Sequence, residues 1–510
     1  MKPSQKPMIP LSTDLHANVE RIQTRLGGSS DIIIRPLDLN FPQEQCSLVL
    51  VYIDGLVENG AIHEFIIQPL LAVQDNDNVA EDYVGIKNVL QQIISIGELT
   101  SAANETDLFE GILQGHTAIL IDGVSEALIA TTCGWERRAI DEPQTQTVIR
   151  GPKESFTENI RTNTTLLRRK IKSPDLRFES LSIGRYTQTK IIVAYLEGIA
   201  NTKVLEEVKR RLHSIDTDSI LESSYIEEFI EDKIYTPFPT IMNTERPDAA
   251  AAGILEGQII IMIDGTPFVL LTPVTFFKFL QSSEDYYQRY DIASFVRLIR
   301  YMSFIISMLL PSLYIAITTF HHEMLPTTLL IGLAAQREGV PFPALVEAFL
   351  MEITFEVLRE AGVRMPRVVG PAISIVGALV LGQAAVQAGL VSAAMVIVVS
   401  FTAISNFVVP AINLAVAARL IRFFLMILAG TLGLFGILVG CMTILIHMAS
   451  IKSFGVPYLA PLAPFIQQNV KDIFIRLPWW KLNTRPSSLT SNTQRQPAAP
   501  QNAEAKKNKP

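Results

Sequence analysis

Cysteine is nearly missing from this sequence: 510 residues hold three, Cys46, Cys133 and Cys441. They form no CxxC pair and no zinc spacing, which excludes a disulfide scaffold and the usual structural metal sites. Charge is also scarce, at 18% of residues against about 25% in soluble domains. That argues against a disordered chain and against a wholly soluble enzyme. A net charge of −7 offers no general attraction for nucleic acid. There is no GxxxxGKS or GxxxxGKT, no HExxH and no GxSxG, so a phosphate cradle, a zinc-protease helix and a nucleophile elbow lack their residues. Neither an enzyme nor a cofactor is expected. Met1–Leu11 carries Lys2 and Lys6 but no apolar stretch, so no secretory signal is expected and the N-terminus should stay in the cytoplasm.

Long uncharged runs are abundant in the second half. No Asp, Glu, Lys or Arg lies between Arg300 and Glu323 (22 residues), Arg367 and Arg419 (51) or Arg422 and Lys452 (29). A helix needs about 20 apolar residues to cross a bilayer. The runs therefore predict a membrane domain over 291–450. Its spans lie near 301–320, 368–388 and 391–412, with a reversal at Gly389, and one long span follows near 423–449. Leu325–Gln336 is too short to span unaided and reads as re-entrant or as a half-span buried in protein (325–336). From 341 to 364, Leu345, Phe349, Ile353 and Val357 recur every four residues, with Glu347, Glu352, Glu356 and Arg359 elsewhere. That predicts an amphipathic helix at the interface or on partners. Glu352 and Glu356 are its candidates for coupling between subunits.

Orientation follows Lys/Arg bias. Arg297 and Arg300, Arg364 and Arg367, and Arg419 and Arg422 each precede a predicted span. All three pairs are cytoplasmic only if 325–336 crosses, which gives five crossings and an outer C-terminus. After a juxtamembrane segment at 451–480, the tail at 481–510 has six bases against one acid and reads as disordered. Its charge favours the cytoplasmic side, so the side of the C-terminus stays open.

The first half carries a repeat. "SLVLVYIDGLVENGAIHEFI" (Ser47–Ile66) resembles "TKIIVAYLEGIANTKVLEEV" (Thr189–Val208), and "EGILQGHTAILIDGVSEALIATT" (Glu110–Thr132) resembles "AGILEGQIIIMIDGTPFVLLTP" (Ala252–Pro273). Gly55 and Gly198 are 143 residues apart, and Asp122 and Asp264 are 142 apart. Two similar α/β subdomains are predicted, 30–140 and 175–290, after a disordered start at 1–29. The repeated Asp-Gly steps have tight-turn chemistry; the other reading of their acids is acid/base or metal work. The connecting segment 141–174 concentrates bases. Arg168, Arg169 and Lys170 read either as a contact for anionic lipid or an acidic partner, or as a solvated helix face bridged to Glu154 and Glu158, with Thr157 or Asn163 capping the helix.

Small residues and amides mark the predicted spans. In 368–388, Gly377 and Gly382 allow close helix contact, and Gln383 and Gln387 share one face. The amides read as inter-helix hydrogen bonds or as the lining of a pore. "GTLGLFG" (Gly430–Gly436) reads as a packing seam or a hinge, and His447 as a satisfied inter-helix donor. His321 and His322 read as a polar boundary, with a metal or proton role as the other reading.

Four stretches carry a resemblance: "IDEPQTQTVIRGPKESFTENIRTNTTLLRRKI" (Ile140–Ile171), "SFVRLIRYMSFIISMLLPSLYIAITTFHHEMLPTTLL" (Ser294–Leu330), "VGPAISIVGALVLGQAAVQAGLVSAAMVIVVSFTAIS" (Val369–Ser405) and "SFGVPYLAPLAP" (Ser453–Pro464). In this order they resemble the A subunit of the GerA-type spore germinant receptors, over about residues 30–480. The resemblance implies a multi-pass protein of the spore inner membrane with a cytoplasmic N-terminal domain. It implies a transporter-like B subunit and a lipoprotein C subunit as partners, contact with membrane lipid, and homo-oligomerisation into a nutrient-gated ion channel that triggers germination. A stand-alone secondary transporter and a passive scaffold are the other readings; no membrane inverted repeat of the transporter kind is found. The expected fold class is an α+β membrane protein: a duplicated α/β soluble N-terminal region followed by an α-helical transmembrane domain.

Overall fold

The computed structural model describes residues 9–40, 45–72, 91, 94–134, 142–232, 235–365, 380–490 and 492–495. The chain forms two compact units. The first takes the residues up to Glu231, Asn243–Pro273 and a piece beginning at Thr484; the second takes Asp232–Met242 and Val274–Asn483.

In the first unit, helix α1 (Leu15–Leu26) precedes strands β1 (Ile32–Asn40) and β2 (Gln45–Ile53). Then follow β3 (Leu99–Ala102), helix α2 (Glu105–Gln114), β4 (Thr117–Ile121) and β5 (Ala127–Ala130). The sheet order is β1-β2-β4-β5-β3. Period-2 alternation puts Val49 and Val51 of β2 on α1 and α2, and Leu48 and Leu50 under Ile62, Ile66 and Leu70. Covering both faces explains why β2 is an apolar run rather than an alternating one.

The second half of this unit repeats the scheme. Helix α3 (Ile160–Lys170) precedes β6 (Leu176–Ile183) and β7 (Thr189–Leu196), followed by α4 (Thr202–His213) and α5 (Ser223–Ile230). Then come β8 (Met242–Thr244), α6 (Pro247–Glu256), β9 (Ile259–Ile263) and β10 (Val269–Thr272). The order β6-β7-β9-β10-β8 matches the first sheet strand for strand.

The repeat reaches further than the sequence reading took it, because α1 and α3 are equivalent. Asp14 and Asn159 cap their first turns. Asn18 brackets Ser12 with two hydrogen bonds, as Asn163 brackets Thr157. The turn acids complete the match: Asp122 accepts from the Leu15 N–H, and Asp264 accepts from the Ile160 N–H. Asp122-Gly123 and Asp264-Gly265 thus turn the β4–β5 and β9–β10 hairpins and hold a helix start.

Two expectations are corrected here. Residues 15–26, expected to be disordered, form a capped helix whose Ile22 and Leu26 are buried. Part of the basic tail is also ordered: Leu489 is buried, the Thr490 hydroxyl donates to the Ile199 carbonyl, and Arg495 pairs with Glu256 at 2.8 Å.

The second unit is helical: α7 (Tyr290–Thr319), α8 (Thr327–Arg337), α9 (Ala344–Arg364), helical residues at 380–387, α10 (Ala393–Phe407) and α11 (Ile412–Ser450). Helices α7 and α11 are long and apolar enough to cross a membrane by length and composition. The single long span expected over 423–449 is not what forms. At Gly433 the backbone leaves the helix (φ 63, ψ −142), and the chain doubles back. A Cβ on Gly440 would lie 2.6 Å from Leu425 and 2.9 Å from Leu428, and one on Gly436 would run into the Leu428 carbonyl. Helix α11 is therefore a hairpin of two antiparallel legs, about 31 and 25 Å long at 1.5 Å per residue.

The return leg brings the chain back to where α7 begins. Met448, Ile451 and Tyr458 share a core with Phe276, Tyr301 and Phe304, whereas Ile437 packs with Ile315 and Ala316 near the far end of α7. Asp472 then accepts from Arg297 at 2.8 Å and from the Tyr286 hydroxyl at 2.6 Å. The start of α7 and the segment after α11 lie at the same end of the bundle.

Candidate functional site

The helical unit buries several charged and polar side chains beside its apolar clusters and leaves many apolar side chains exposed. Helix α7 buries Arg297, Arg300, Ser303, Ser307 and Ser312 and exposes Phe295, Leu298, Met302 and Ile305. Helix α9 buries Glu347 and Glu352 and exposes Val346, Leu350, Ile353 and Val357. The four-residue apolar stripe expected on α9 does not form one packed face: Leu345 and Phe349 pack into the bundle, whereas Ile353 and Val357 are exposed.

The inward carboxylates meet arginines of α11. Arg422 and Glu352, both 1% exposed, approach to 3.0 Å. Glu356 joins them: Arg419 reaches it at 2.6 Å, Arg422 at 3.4 Å and Arg359 at 3.4 Å. The network is incompletely satisfied. Among the described residues, neither Glu352 oxygen has a hydrogen bond of good geometry, and the Arg422 and Arg419 Nε groups have no partner. Desolvating such charges costs several kcal/mol per ion, recovered only when pairing is excellent. Glu352 and Glu356, expected to couple subunits, are engaged within their own chain. The sequence reading missed their partners: Arg419 and Arg422 were taken as anchors flanking a span. Their three-residue spacing, which sets both on one helix face as the four-residue spacing of Glu352 and Glu356 does, was the available signal.

A second buried carboxylate ties other segments together. Glu347 accepts from the Ser392 N–H at 2.6 Å and from its hydroxyl, with Arg337 of α8 at 4.0 Å. Of the candidate pore residues, Gln383 and Gln387 are exposed and Gly382 is buried, where an added Cβ would lie 3.7 Å from Val396. Gly377 and most of the 368–388 segment lie outside the described residues. His447 bonds Thr236 at 2.9 Å, and His321 packs beside Gly433. Among the described residues, no cluster of His, Cys, Asp and Glu could hold a metal ion.

The first unit contains a cavity of about 720 Å³ between the turn after β2 and the face of α3. Gly55, Glu58, Cys133, Arg161, Thr165 and Arg169 line it. Gly55 has φ 86 and runs against the Thr165 side chain, so the close approach requires a glycine. Arg161 pairs with Asp54, and Arg169 lies 3.5 Å from Glu154. Burial pushes the neighbouring Tyr52 phenol above its ordinary value, against the pull of Arg35, so it stays a neutral donor. The lining can donate to a small carboxylate- or phosphate-bearing molecule and accept from an amine.

The basic cluster on α3 is not a lipid-facing surface. Arg168 is 1% exposed and holds Asp31 through Nε (2.8 Å) and Nη2 (3.1 Å), with Ser29 beside them. Lys170 and Arg169 both turn to Glu154. Asn159 caps the helix, in place of the expected Thr157 or Asn163. Arg168→Met is expected to lower unfolding stability by about 3–5 kcal/mol, because it strands a buried Asp31. Lys170→Met should change it by less than about 1 kcal/mol. Denaturant titrations of the two full-length variants check this contrast; equal effects would contradict it.

A duplicated α/β unit followed by a helical unit with two helices long and apolar enough to cross a membrane defines the class, a mixed α/β protein with a helical second half. Residues 20–488 match the family described as Bacillus/Clostridium GerA spore germination protein, and the chain belongs to that family. It is 49% identical to spore germination protein KA of Bacillus subtilis (strain 168) over 95% of this chain and 88% of that one. It is 36% identical to spore germination protein GerLA of Bacillus cereus over 94% and 97%. It is also similar to the crystal structure of the N-terminal domain of the A subunit of the Bacillus megaterium spore germinant receptor GerK3. That match is 39% identical, covers 53% of this chain and 99% of that chain, and has a TM-score of 0.43.

Proposed function

We propose that this chain is the membrane-embedded A subunit of a nutrient germinant receptor. It acts with a transporter-like B subunit and a lipoprotein C subunit, and copies of it form a nutrient-gated path for ions. The observation that carries this reading is that α7, α9 and α11 bury charged side chains while leaving large apolar ones exposed. In water, helices that bury Glu352 and Arg422 while exposing Ile353 and Leu420 are unfavourable. In hydrocarbon the observed orientation is the favourable one. At about 1.5 Å per residue α9 is about 31 Å long, close to a bilayer core.

Gln383 and Gln387 remain the candidates for the ion path, since exposed amides in hydrocarbon need water or a partner. In spores with properly assembled receptors, Gln383→Leu with Gln387→Leu is expected to slow nutrient-triggered ion release. Release at the normal rate would move the path elsewhere.

The hairpin in α11 makes the sidedness testable. The start of α7 and the segment after α11 share one end of the bundle, so both belong on the cytoplasmic side. In sealed vesicles, a protease that cleaves a tag in the N-terminal unit should also cleave one at the C-terminus. Cleavage of one without the other would contradict the hairpin.

A further inference from the structure

In the second unit an aromatic face gathers beside the start of α7. Tyr286 and Trp479 have ring centroids 5.7 Å apart, and Tyr290 and Trp480 are 6.3 Å apart. The Arg476 guanidinium lies 5.6 Å from the Tyr286 ring and 5.4 Å from the Trp479 ring. Arg476 is 3% exposed, yet among the described residues its Nε and Nη2 have no hydrogen-bond partner. The two indoles are 54% and 59% exposed. Lys471 and Lys481 stand close to them in the chain; of the acids there, Asp472 is committed to Arg297 and Tyr286, Asp285 to Arg297 and Arg300, Asp291 to Arg289, and Glu284 accepts from Gln288.

Each feature is unfavourable in water. Two indoles stand open, and a buried cation lacks a counter-charge. Both are accounted for at the headgroup level of a bilayer. Indole and phenol rings concentrate there, and a guanidinium fork matches the oxygens of a phosphodiester. The face is continuous with the first residue of α7, a helix long and apolar enough to cross. Asp285, Asp291 and Asp472 are paired with other arginines, so Arg476, Lys471 and Lys481 are left to favour an anionic leaflet.

We propose that Tyr286, Tyr290, Arg476, Trp479 and Trp480 seat the phosphate of an anionic phospholipid headgroup. The site rests on the reading that α7 crosses a membrane. It anchors the segment after α11 to the leaflet where α7 begins, so the local lipid composition bears directly on that end of the bundle.

The test uses tryptophan emission. The chain has three tryptophans, so the full-length Trp135→Phe variant reports only on Trp479 and Trp480. It is incorporated into phosphatidylcholine vesicles containing either brominated phosphatidylglycerol or brominated phosphatidylcholine at equal mole fraction. The bromines are placed near the headgroup end or near the tail end of the chains. The expected result is stronger loss of emission from the shallow bromines, and from phosphatidylglycerol over phosphatidylcholine. Inorganic phosphate in the buffer should leave the loss unchanged. Arg476→Gln should abolish the lipid preference without reducing incorporation; should that variant not fold, the comparison of the two lipids in the parent decides. Equal quenching by both lipids, displacement by inorganic phosphate, or no quenching in an incorporated chain would overturn the headgroup site, the last pointing to a protein cover. A chain that does not incorporate at all would overturn the membrane reading and this site with it.

Discussion

Valine at Gly433 is expected to eliminate the folded helical unit, and with it any assembled receptor. The backbone there has φ 63 and ψ −142, a combination open almost only to glycine, and holding a β-branched residue in such a region costs about 1–3 kcal/mol. The added Cβ would also lie 2.8 Å from the His321 ring and 3.1 Å from Phe320. The hairpin cannot absorb this by shifting, because Gly436 and Gly440 already bring the return leg against Leu428 and Leu425. Close packing of that kind responds steeply to added volume. Gly332→Ala is the matched control: no atom lies within 4 Å of its new methyl, and alanine in a helix gains about 0.5–1 kcal/mol over glycine. Membrane-fraction abundance and thermal unfolding in detergent check the pair. Normal levels of Gly433→Val protein would mean that α11 does not turn there.

Arg422→Met should be the most damaging single change in the ion-pair network. It leaves Glu352, 1% exposed, facing no cation within 3.0 Å, and stranding a buried charge costs about 3–5 kcal/mol. Adding Glu352→Met removes the stranded charge, so the double variant should regain most of the lost stability. Its nutrient response should stay lost, because the polar contact between α9 and α11 no longer exists to be rearranged. Unfolding midpoints and germination of the single and double variants separate stability from signalling. A double variant that germinates normally would reduce the network to a packing detail.

The strength of the sequence signals explains what was legible. Asp-Gly steps at Asp122 and Asp264 mark the duplication, because turns tolerate few residues and recur at a fixed offset. Helix α1 was hidden: four apolar residues, Leu15, Val19, Ile22 and Leu26, stand in a polar segment, and their stripe shows only against the sheet they cover. Arg168 could not be placed because its partner, Asp31, lies 137 residues away, and only tertiary structure turns a basic run into a buried pair. Gly433 lay inside a charge-free stretch of the length of one long span, where the glycines read as either a packing seam or a hinge, and nothing in the composition chose between the two. The orientation of α9 was ambiguous for a different reason. An amphipathic period is the same in water and in lipid, and the surroundings alone decide which face turns inward.

Germination of spores in which this chain supplies the sole receptor A subunit tests the central claim most directly. These spores and otherwise identical ones lacking the chain would be exposed to amino acids, sugars and nucleosides, with ion release and germination followed together. A trigger that bypasses nutrient receptors would run in parallel. The account predicts that the chain confers a response to at least one nutrient class, that ion release accompanies it, and that the bypass works in both strains. Spores that respond identically with and without the chain, to every nutrient, would contradict it.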